Sequence, residues 1–226
     1  MKTTRRTMLQ TIGLTGLSIL APVSLTGCAT AAYNIQERFG IEKRDILVDR
    51  VLEVASSQTE AKEEFVDALD AFRAVVAFDG GDLEDTYDNL KKSYERADSQ
   101  ASDVRSRVAS VKRVARDLFS EWEKELGQYS DAGLRRTSER QLRETQDQYD
   151  LLAAKMDAAT DSMDPVLSVF SDRVLFLKHN LNARAIAALD TQSADVEGDV
   201  ARLIAEMERS ISAADAFIKE MNSASA

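Results

Sequence analysis

Two residue types that bind metals or carry out redox chemistry occur once each in this sequence, as Cys28 and His179. A disulfide framework needs paired cysteines, and a zinc site needs several Cys or His ligands. A di-iron bundle needs paired Glu-x-x-His motifs, which one histidine cannot supply. The sequence therefore excludes these centres and predicts no catalytic residue, no metal and no cofactor. His179 is expected to be a surface or structural histidine.

Cys28 is predicted to be a site of lipid attachment. Three basic residues stand in the first six positions, and Ile12–Val23 is an apolar run that suits a signal peptide but is too short to span a bilayer. The Leu-Thr-Gly-Cys that follows at 25–28 resembles the bacterial lipobox, whose cysteine is diacylated and becomes the mature N-terminus. Residues 1–27 are thus predicted to be a lipoprotein signal peptide, with residues 28–34 as the lipidated cysteine and a short tether.

The N-terminal segment also bears on export and destination. Arg5 and Arg6, followed by Met and Leu, resemble the twin-arginine motif, while general secretion fits as well. Ala29 after the cysteine, rather than Asp, favours forwarding to the outer membrane in a two-membrane envelope. We therefore expect a protein held on the outer membrane by its lipid and facing the periplasm.

Composition limits the class of protein and of partner. The chain has 39 acidic and 29 basic residues and a net charge of -10, which argues against nucleic acid as a partner. With 9 Gly, 2 Pro and 6% aromatic residues, it lacks the turn and β-forming residues of a sandwich, a barrel or most α/β enzymes. Carboxylate pairs such as Glu63 with Glu64 and Glu206 with Glu208 are interpreted as charged helix faces rather than as an acid and a base.

Helical seams dominate the rest of the chain. From Leu83 to Trp122 the apolar or small residues recur at steps of four and three in alternation, which is typical of a left-handed helical seam. Similar spacing runs from Leu47 to Val75 and from Leu142 to Phe170. A fourth seam is predicted through Val196, Val200, Leu203, Met207, Ile211, Ala214, Ile218 and Met221.

The breaks between these seams carry turn chemistry. Residues 78–82 offer glycines where the first helix must end, followed by Asp82 as an N-cap for the second helix. Residues 127–133 and 190–193 are further short breaks. Since short loops force neighbouring helices to run antiparallel, the helices should run up, down, up and down. Phe119, Trp122 and Tyr129 are expected to cap the core at the end of the second helix.

The predicted fold is all-α: an elongated, antiparallel, coiled-coil-like bundle of about four long helices. Residues 35–226 form it as a single domain, since no linker divides them. Pro165 should kink the third helix or restart it near Met163, because proline cannot donate a backbone hydrogen bond. The seams can close within one chain or between two, which leaves the oligomeric state open.

One polar cluster lies beside an apolar segment of the third helix. Residues 174–177 are apolar on every side, so several neighbours should enclose them. In a continuous helix Asn180 and Arg184 would then lie near the packed face, while His179 and Asn182 would point away. Two roles fit this cluster: buried polar groups that fix the register of the helices, or a site for a ligand or partner.

Four segments together resemble a known family. They are residues 44–51 (RDILVDRV), 78–83 (FDGGDL), 141–145 (QLRET) and 174–184 (VLFLKHNLNAR). They are similar to bacterial envelope lipoproteins catalogued as domain-of-unknown-function family 2959. The resemblance implies an exported coiled-coil protein with no assigned activity, and it offers no catalytic residues to carry over.

The expected function is non-enzymatic. A lipid-anchored scaffold or adaptor that presents a long helical bundle in the periplasm fits the lipobox and the seams, with an envelope protein as its partner. The alternative is a carrier that opens its helices around a lipid or another apolar ligand near Phe170–Leu181. Both functions would follow from helix packing rather than from a catalytic pocket.

Overall fold

A computed structural model describes residues 43–223, and the predicted signal peptide, Cys28, the tether and the start of the predicted bundle domain lie outside the described residues. The described chain forms six α-helices. They are α1 (Lys43–Val76), α2 (Leu83–Leu126), α3 (Ala132–Asp161), α4 (Met163–His179), α5 (Ala183–Asp190) and α6 (Ser193–Ser223). Between residues 43 and 223 there is no strand, so the all-α prediction is confirmed.

The long helices pack as a four-sided antiparallel bundle. The helix α1 packs against α2 and α6, and the third side, formed by α3 and then α4, packs against α2 and α6. Ion pairs fix the directions: Glu64 pairs with Arg96 and Glu53 with Arg107, so residue numbers fall along α1 as they rise along α2. At 1.5 Å per residue, α2 is about 66 Å long.

The seam predicted along α2 is the one that is buried. Ala97, Ala101, Val104 and Val111 are fully buried, while charged side chains occupy the outer face of the helix. Heptad spacing brings these positions to one stripe, and covering that stripe with neighbouring helices removes its apolar area from water. The predicted packing is confirmed through the middle of α2, whereas near its end Phe119 is buried in place of the predicted Leu118.

The seam predicted along α6 is displaced in its second half. Ser210 and Phe217 are buried, whereas Ile211 and Ile218 are partly exposed. The buried positions keep the alternation of four and three from Val196 to Met221, and that alternation passes through a serine. The prediction of Ile211 and Ile218 is wrong because two steps of four in succession, at Met207 and Ile211, shift the predicted stripe by one residue from the buried one.

The predicted turn between α1 and α2 is confirmed. Gly80 and Gly81 have φ angles of 148° and 105°, which side chains with a Cβ rarely adopt. The Asp82 carboxylate then accepts hydrogen bonds from the backbone N–H groups of Glu84 (2.9 Å) and Asp85 (3.3 Å). Asp82 therefore satisfies two donors that the start of α2 would otherwise leave free.

The expected count of four helices, with a kink near Pro165, is wrong for the third side of the bundle. The helix ends at Asp161 and restarts at Met163, the second of the two outcomes expected for this proline. Pro165 has no N–H to offer the carbonyl of Asp161, and its ring would clash with that carbonyl in a continuous helix. A second break at residues 180–182 separates α4 from α5.

No helix among the described residues is both long enough and apolar enough to cross a lipid bilayer.

Candidate functional site

Apolar side chains are unusually exposed where α4 meets α5. In the segment Val174–Arg184, which we call the tip, Leu175 is 56% exposed, Phe176 39% and Leu181 36%. Leu177 alone among its apolar residues is fully buried. The expectation that several neighbours enclose residues 174–177 is therefore wrong, because α4 lies on the outside of the bundle and turns one side to it.

The polar residues of the tip form the corner itself. The backbone N–H of Asn180 donates to the Leu177 carbonyl (3.1 Å), and its side-chain amide donates to the Phe176 carbonyl (3.0 Å). Asn182 is the N-cap of α5, since its side-chain oxygen accepts from the N–H groups of Arg184 (3.1 Å) and Ala185 (3.2 Å). The two asparagines thus satisfy backbone groups that the break between α4 and α5 exposes.

The predicted placement of Asn180 and Arg184 near the packed face is wrong, because both residues are exposed. The prediction assumed one continuous helix, and the backbone of Asn180, with φ −135° and ψ 49°, ends that helix. Exposure also removes the register-fixing role, which requires a buried polar group. His179 lies on the surface, as expected.

Positive charge accompanies the exposed apolar side chains. Lys178 and Arg184 are exposed, and within residues 43–223 neither forms an ion pair. Arg173 adds a third cation at the edge of the tip, against the single carboxylate of Asp172. In a chain of net charge -10, the tip is thus a local basic and apolar surface.

The tip lies at the end of the bundle where α1 ends and α6 begins. The rings of Phe72, near the end of α1, and Phe170 on α4 meet edge to face at 6.5 Å. Beside them Arg73 binds Glu197, in the first turns of α6, at 2.8 Å. The Arg73 guanidinium lowers the pKa of the Glu197 carboxyl by donating this hydrogen bond.

The opposite end of the bundle is sealed by aromatic side chains. There the centre of the Tyr149 ring lies 5.4 Å from that of Phe119 and 6.5 Å from that of Phe217, and both pairs pack edge to face. The Trp122 indole N–H donates to the Ser138 hydroxyl at 2.7 Å. We call this set the closed end. Phe119 and Trp122 cap the core as expected, whereas Tyr129 is 43% exposed and takes no part in the capping.

Burial changes the chemistry of the tyrosine in the closed end. Desolvation raises the pKa of Tyr149 to about 12, and the charges of Asp150 and Asp157 act in the same direction. Arg116 opposes them weakly. The phenol is therefore held in its neutral form over a wider range of pH than an exposed tyrosine.

A small cleft opens beside the closed end and was not foreseen from the sequence. Its volume is about 140 Å³, and it is lined by Arg44, Trp122, Gln141, Glu144, Thr145, Gln148, Phe217, Glu220 and Met221. The Arg44 guanidinium donates to the Met221 carbonyl, while its buried Nε has no hydrogen-bond partner. The lining contains one cation, Arg44, and two carboxylates, Glu144 and Glu220, so it does not favour either an anionic or a cationic ligand. The start of α1, the ends of α2 and α6 and the middle of α3 build the cleft, and no motif links them in sequence.

The middle of the bundle buries polar side chains. Gln58 and Ser210 are fully buried, and neither the Gln58 amide nor the Ser210 hydroxyl has a hydrogen-bond partner. Gln58 occupies a position in the α1 seam, as its heptad spacing predicts. A buried amide without partners costs stability, which a water-exposed amide does not.

Metal chemistry has no visible support in the described residues. Between residues 43 and 223, no group of three or more His, Cys, Asp or Glu side chains is arranged to hold a metal ion.

Comparison with known sequences gives one assignment. The model of the family described as "Protein of unknown function (DUF2959)" matches residues 32–221. No curated protein and no solved structure matches the sequence. The match covers both ends of the bundle and the tip, and it agrees with the resemblance seen in the four sequence segments. The chain therefore belongs to the DUF2959 family of proteins of unknown function.

Proposed function

We propose that this protein is a non-enzymatic, lipid-anchored envelope protein that acts as a scaffold or adaptor. It is attached to a membrane through Cys28 and presents the tip, at the far end of its bundle, to a second envelope component. The observation that carries this proposal is the separation of the two ends. The described chain begins at the closed end, and the segment that combines exposed apolar side chains with Lys178 and Arg184 lies at the other.

The start of α1 is fixed to the closed end. Lys43, the first described residue, pairs with Glu121 near the end of α2 at 2.6 Å. The neighbouring Arg44 donates to the Met221 carbonyl in the last turn of α6. From there α1 runs for 34 residues, about 51 Å, toward the end that carries the tip. A bundle entered at one end thus holds the tip at a defined distance from the point of entry.

In this proposal, acyl chains on Cys28 hold the protein on a membrane. Two or three acyl chains hold a protein on a bilayer far more firmly than one, since each buried methylene contributes about 0.8 kcal/mol. The outer membrane, with the bundle facing the periplasm, is the proposed location, in accordance with Ala29 after the cysteine. The signal peptide and lipobox pattern in residues 1–28 supports this step.

Radiolabelled palmitate tests the anchor. The wild-type chain should incorporate the label and fractionate with the outer membrane, whereas Cys28→Ser should lose both the label and the membrane fraction. A wild-type product without label would contradict the proposed anchoring.

Photocrosslinking in cells tests the contact surface. A benzophenone photocrosslinker placed at position 176 in the tip should give reproducible adducts. The same group placed at position 134, a leucine 61% exposed at the start of α3, is the control. Equal adducts from both positions, or none from position 176, would contradict the assignment of the tip as the contact surface.

A further inference from the structure

The tip combines exposed apolar side chains with cations that are free to bind. Leu175, Phe176 and Leu181 are three of the large apolar residues most exposed in the described chain, and they lie within seven positions of one another. Lys178 and Arg184 stand between and beside them without ion-pair partners among residues 43–223. Apolar side chains flanked by lysine and arginine are typical of surfaces that enter the interface of an anionic bilayer.

The backbone of the corner suits such an interface. The carbonyls of Phe176 and Leu177 at the end of α4 accept hydrogen bonds from Asn180, and Asn182 caps the start of α5. Backbone groups that enter a poorly hydrated layer must be satisfied internally, or each costs free energy. At the corner, the carbonyls of Phe176 and Leu177 and the N–H groups of Arg184 and Ala185 are thus satisfied within the chain.

The size of the tip argues against a protein as its main partner. Three partly exposed side chains on a projecting corner present far less than the roughly 800 Å² that each partner buries in a standard protein interface. A bilayer needs no matching concave surface, because lipids rearrange around the side chains that enter. Lysine and arginine can extend their charged groups to the headgroups while their methylenes stay in the apolar layer.

The charge of the rest of the molecule sets the orientation of docking. The chain as a whole carries -10, so an anionic surface repels the helix faces and attracts the tip. Exposed carboxylates in the loop between α1 and α2 and in the first turn of α2 lie at the same end of the bundle and oppose this attraction: Asp79, Asp82, Glu84 and Asp85. The contact should consequently be end-on, weak and reversible.

We propose that the tip docks on the surface of an anionic phospholipid bilayer. This proposal rests on the proposed function, since it names the second envelope component that the tip contacts. Leu175, Phe176 and Leu181 enter the bilayer interface, and Lys178 and Arg184 bind the anionic headgroups.

Vesicle sedimentation tests the proposal with the chain carrying Cys28→Ser, so that no acyl chain contributes. The chain is prepared in its predicted mature length, residues 28–226, so that the basic and apolar residues 1–27 do not bind the vesicles themselves. The vesicles contain phosphatidylcholine alone or with one quarter phosphatidylglycerol. The protein should bind the anionic vesicles more strongly, and added salt should weaken the binding. All variants keep the same N-terminal segment, so differences between them report on the tip.

Two pairs of variants separate the apolar and the charged contributions. Leu175→Ser/Phe176→Ser/Leu181→Ser and Lys178→Gln/Arg184→Gln should each weaken binding to anionic vesicles by about 10- to 30-fold. The matched controls, Leu134→Ser/Leu151→Ser and Lys92→Gln/Arg140→Gln, change exposed residues elsewhere and should leave binding within about twofold. Circular dichroism verifies that every variant is folded.

The outcomes distinguish this proposal from the proposed function. Equal binding by the tip variants and their controls overturns the bilayer assignment, as does a crosslink from position 176 that reaches a protein and no lipid. In that case the proposal of a lipid-anchored scaffold is still supported if the wild-type protein incorporates palmitate. If sedimentation depends on the tip residues but the wild-type protein takes up no palmitate, bilayer docking by the tip is supported and the lipid anchor at Cys28 is overturned.

Discussion

The aromatic cluster of the closed end and the apolar residues of the tip differ in their exposure to water. At the closed end, Tyr149 and Phe217 pack edge to face, and Phe217 is 3% exposed. At the tip, Phe176 is 39% exposed and Leu175 56%, although the same chain supplies both ends. Aromatic side chains are covered where α2, α3 and α6 pack together, and apolar side chains are left uncovered where α4 turns into α5. Tyr129, just before α3, and Leu134, in its first turn, are also exposed, so the contrast concerns the packed cluster and not every residue of the closed end. Selection for stability alone would not require that difference.

The largest expected effect comes from making the same substitution at both ends. Phe217→Ala should lower the free energy of unfolding by about 3–5 kcal/mol, because it leaves a cavity beside Tyr149. Phe176→Ala should lower it by about 1 kcal/mol or less, since water already covers much of the ring. Chemical denaturation of both variants measures the contrast. Similar losses at the two ends would show that the tip is part of the core.

A substitution in the middle of the bundle tests whether a buried polar side chain lowers the free energy of unfolding more than the exposed apolar side chains of the tip do. Gln58→Met keeps the length of the side chain and removes two buried polar atoms that lack partners. It should raise the free energy of unfolding by about 1–3 kcal/mol. Denaturant midpoints of the variant and the wild type give the difference.

Gln100→Met is the matched control for that change. The Gln100 amide donates to the Ser57 carbonyl at 3.2 Å and to the Glu60 carboxylate at 3.1 Å, so its loss should destabilise the bundle by about 1 kcal/mol. A Gln58→Met variant less stable than the wild type would mean that the buried amide finds partners in solution.

Removing the N-caps of α5 and α2 should change the free energy of unfolding by a smaller amount. Asn182→Ala removes the two hydrogen bonds that start α5, and Asp82→Ala removes the two that start α2. Each should cost about 1 kcal/mol. Because α5 has only eight residues and α2 has 44, the loss at Asn182 should appear as faster amide hydrogen exchange throughout α5. Faster exchange confined to the first turn of α5 would contradict this dependence on the cap.

How far the sequence could predict the structure depended on whether local spacing continued without interruption. The α2 seam was predicted correctly through the middle of the helix, because four-and-three spacing over many turns leaves one choice of face. In α6 the same rule favours Ser210 and Phe217, and the predicted seam breaks the rule with two successive steps of four at Met207 and Ile211. At the tip, the rotation assigned to Asn180 and Arg184 failed because Asn180 ends the helix. The signals of that break are present in the sequence, as two basic residues in the last turn, Asn180 after them and Asn182 as the next N-cap, and the assumption of a continuous helix overrode them.

The cleft beside the closed end was beyond sequence reasoning for a different reason. Arg44 and Met221 are 177 positions apart in the chain and meet only when the start of α1 packs beside the end of α6. Their contact depends on the lengths of all the helices and loops between them. Periodicity places a residue on the face of its own helix, but it does not give its height relative to residues on other helices.

The last prediction concerns the ionisation of Tyr149 at the closed end. Burial raises the pKa of Tyr149 from the ordinary 10 to about 12, so the folded state holds the phenol proton more tightly than the unfolded state. The stability from this difference is present below pH 10 and is lost as the pH rises from about 10 through about 12. A spectrophotometric titration of tyrosinate should show one late component that Tyr149→Phe removes. If no late component exists in the wild type, the closed end admits water much as the tip does, and the contrast between the two ends fails.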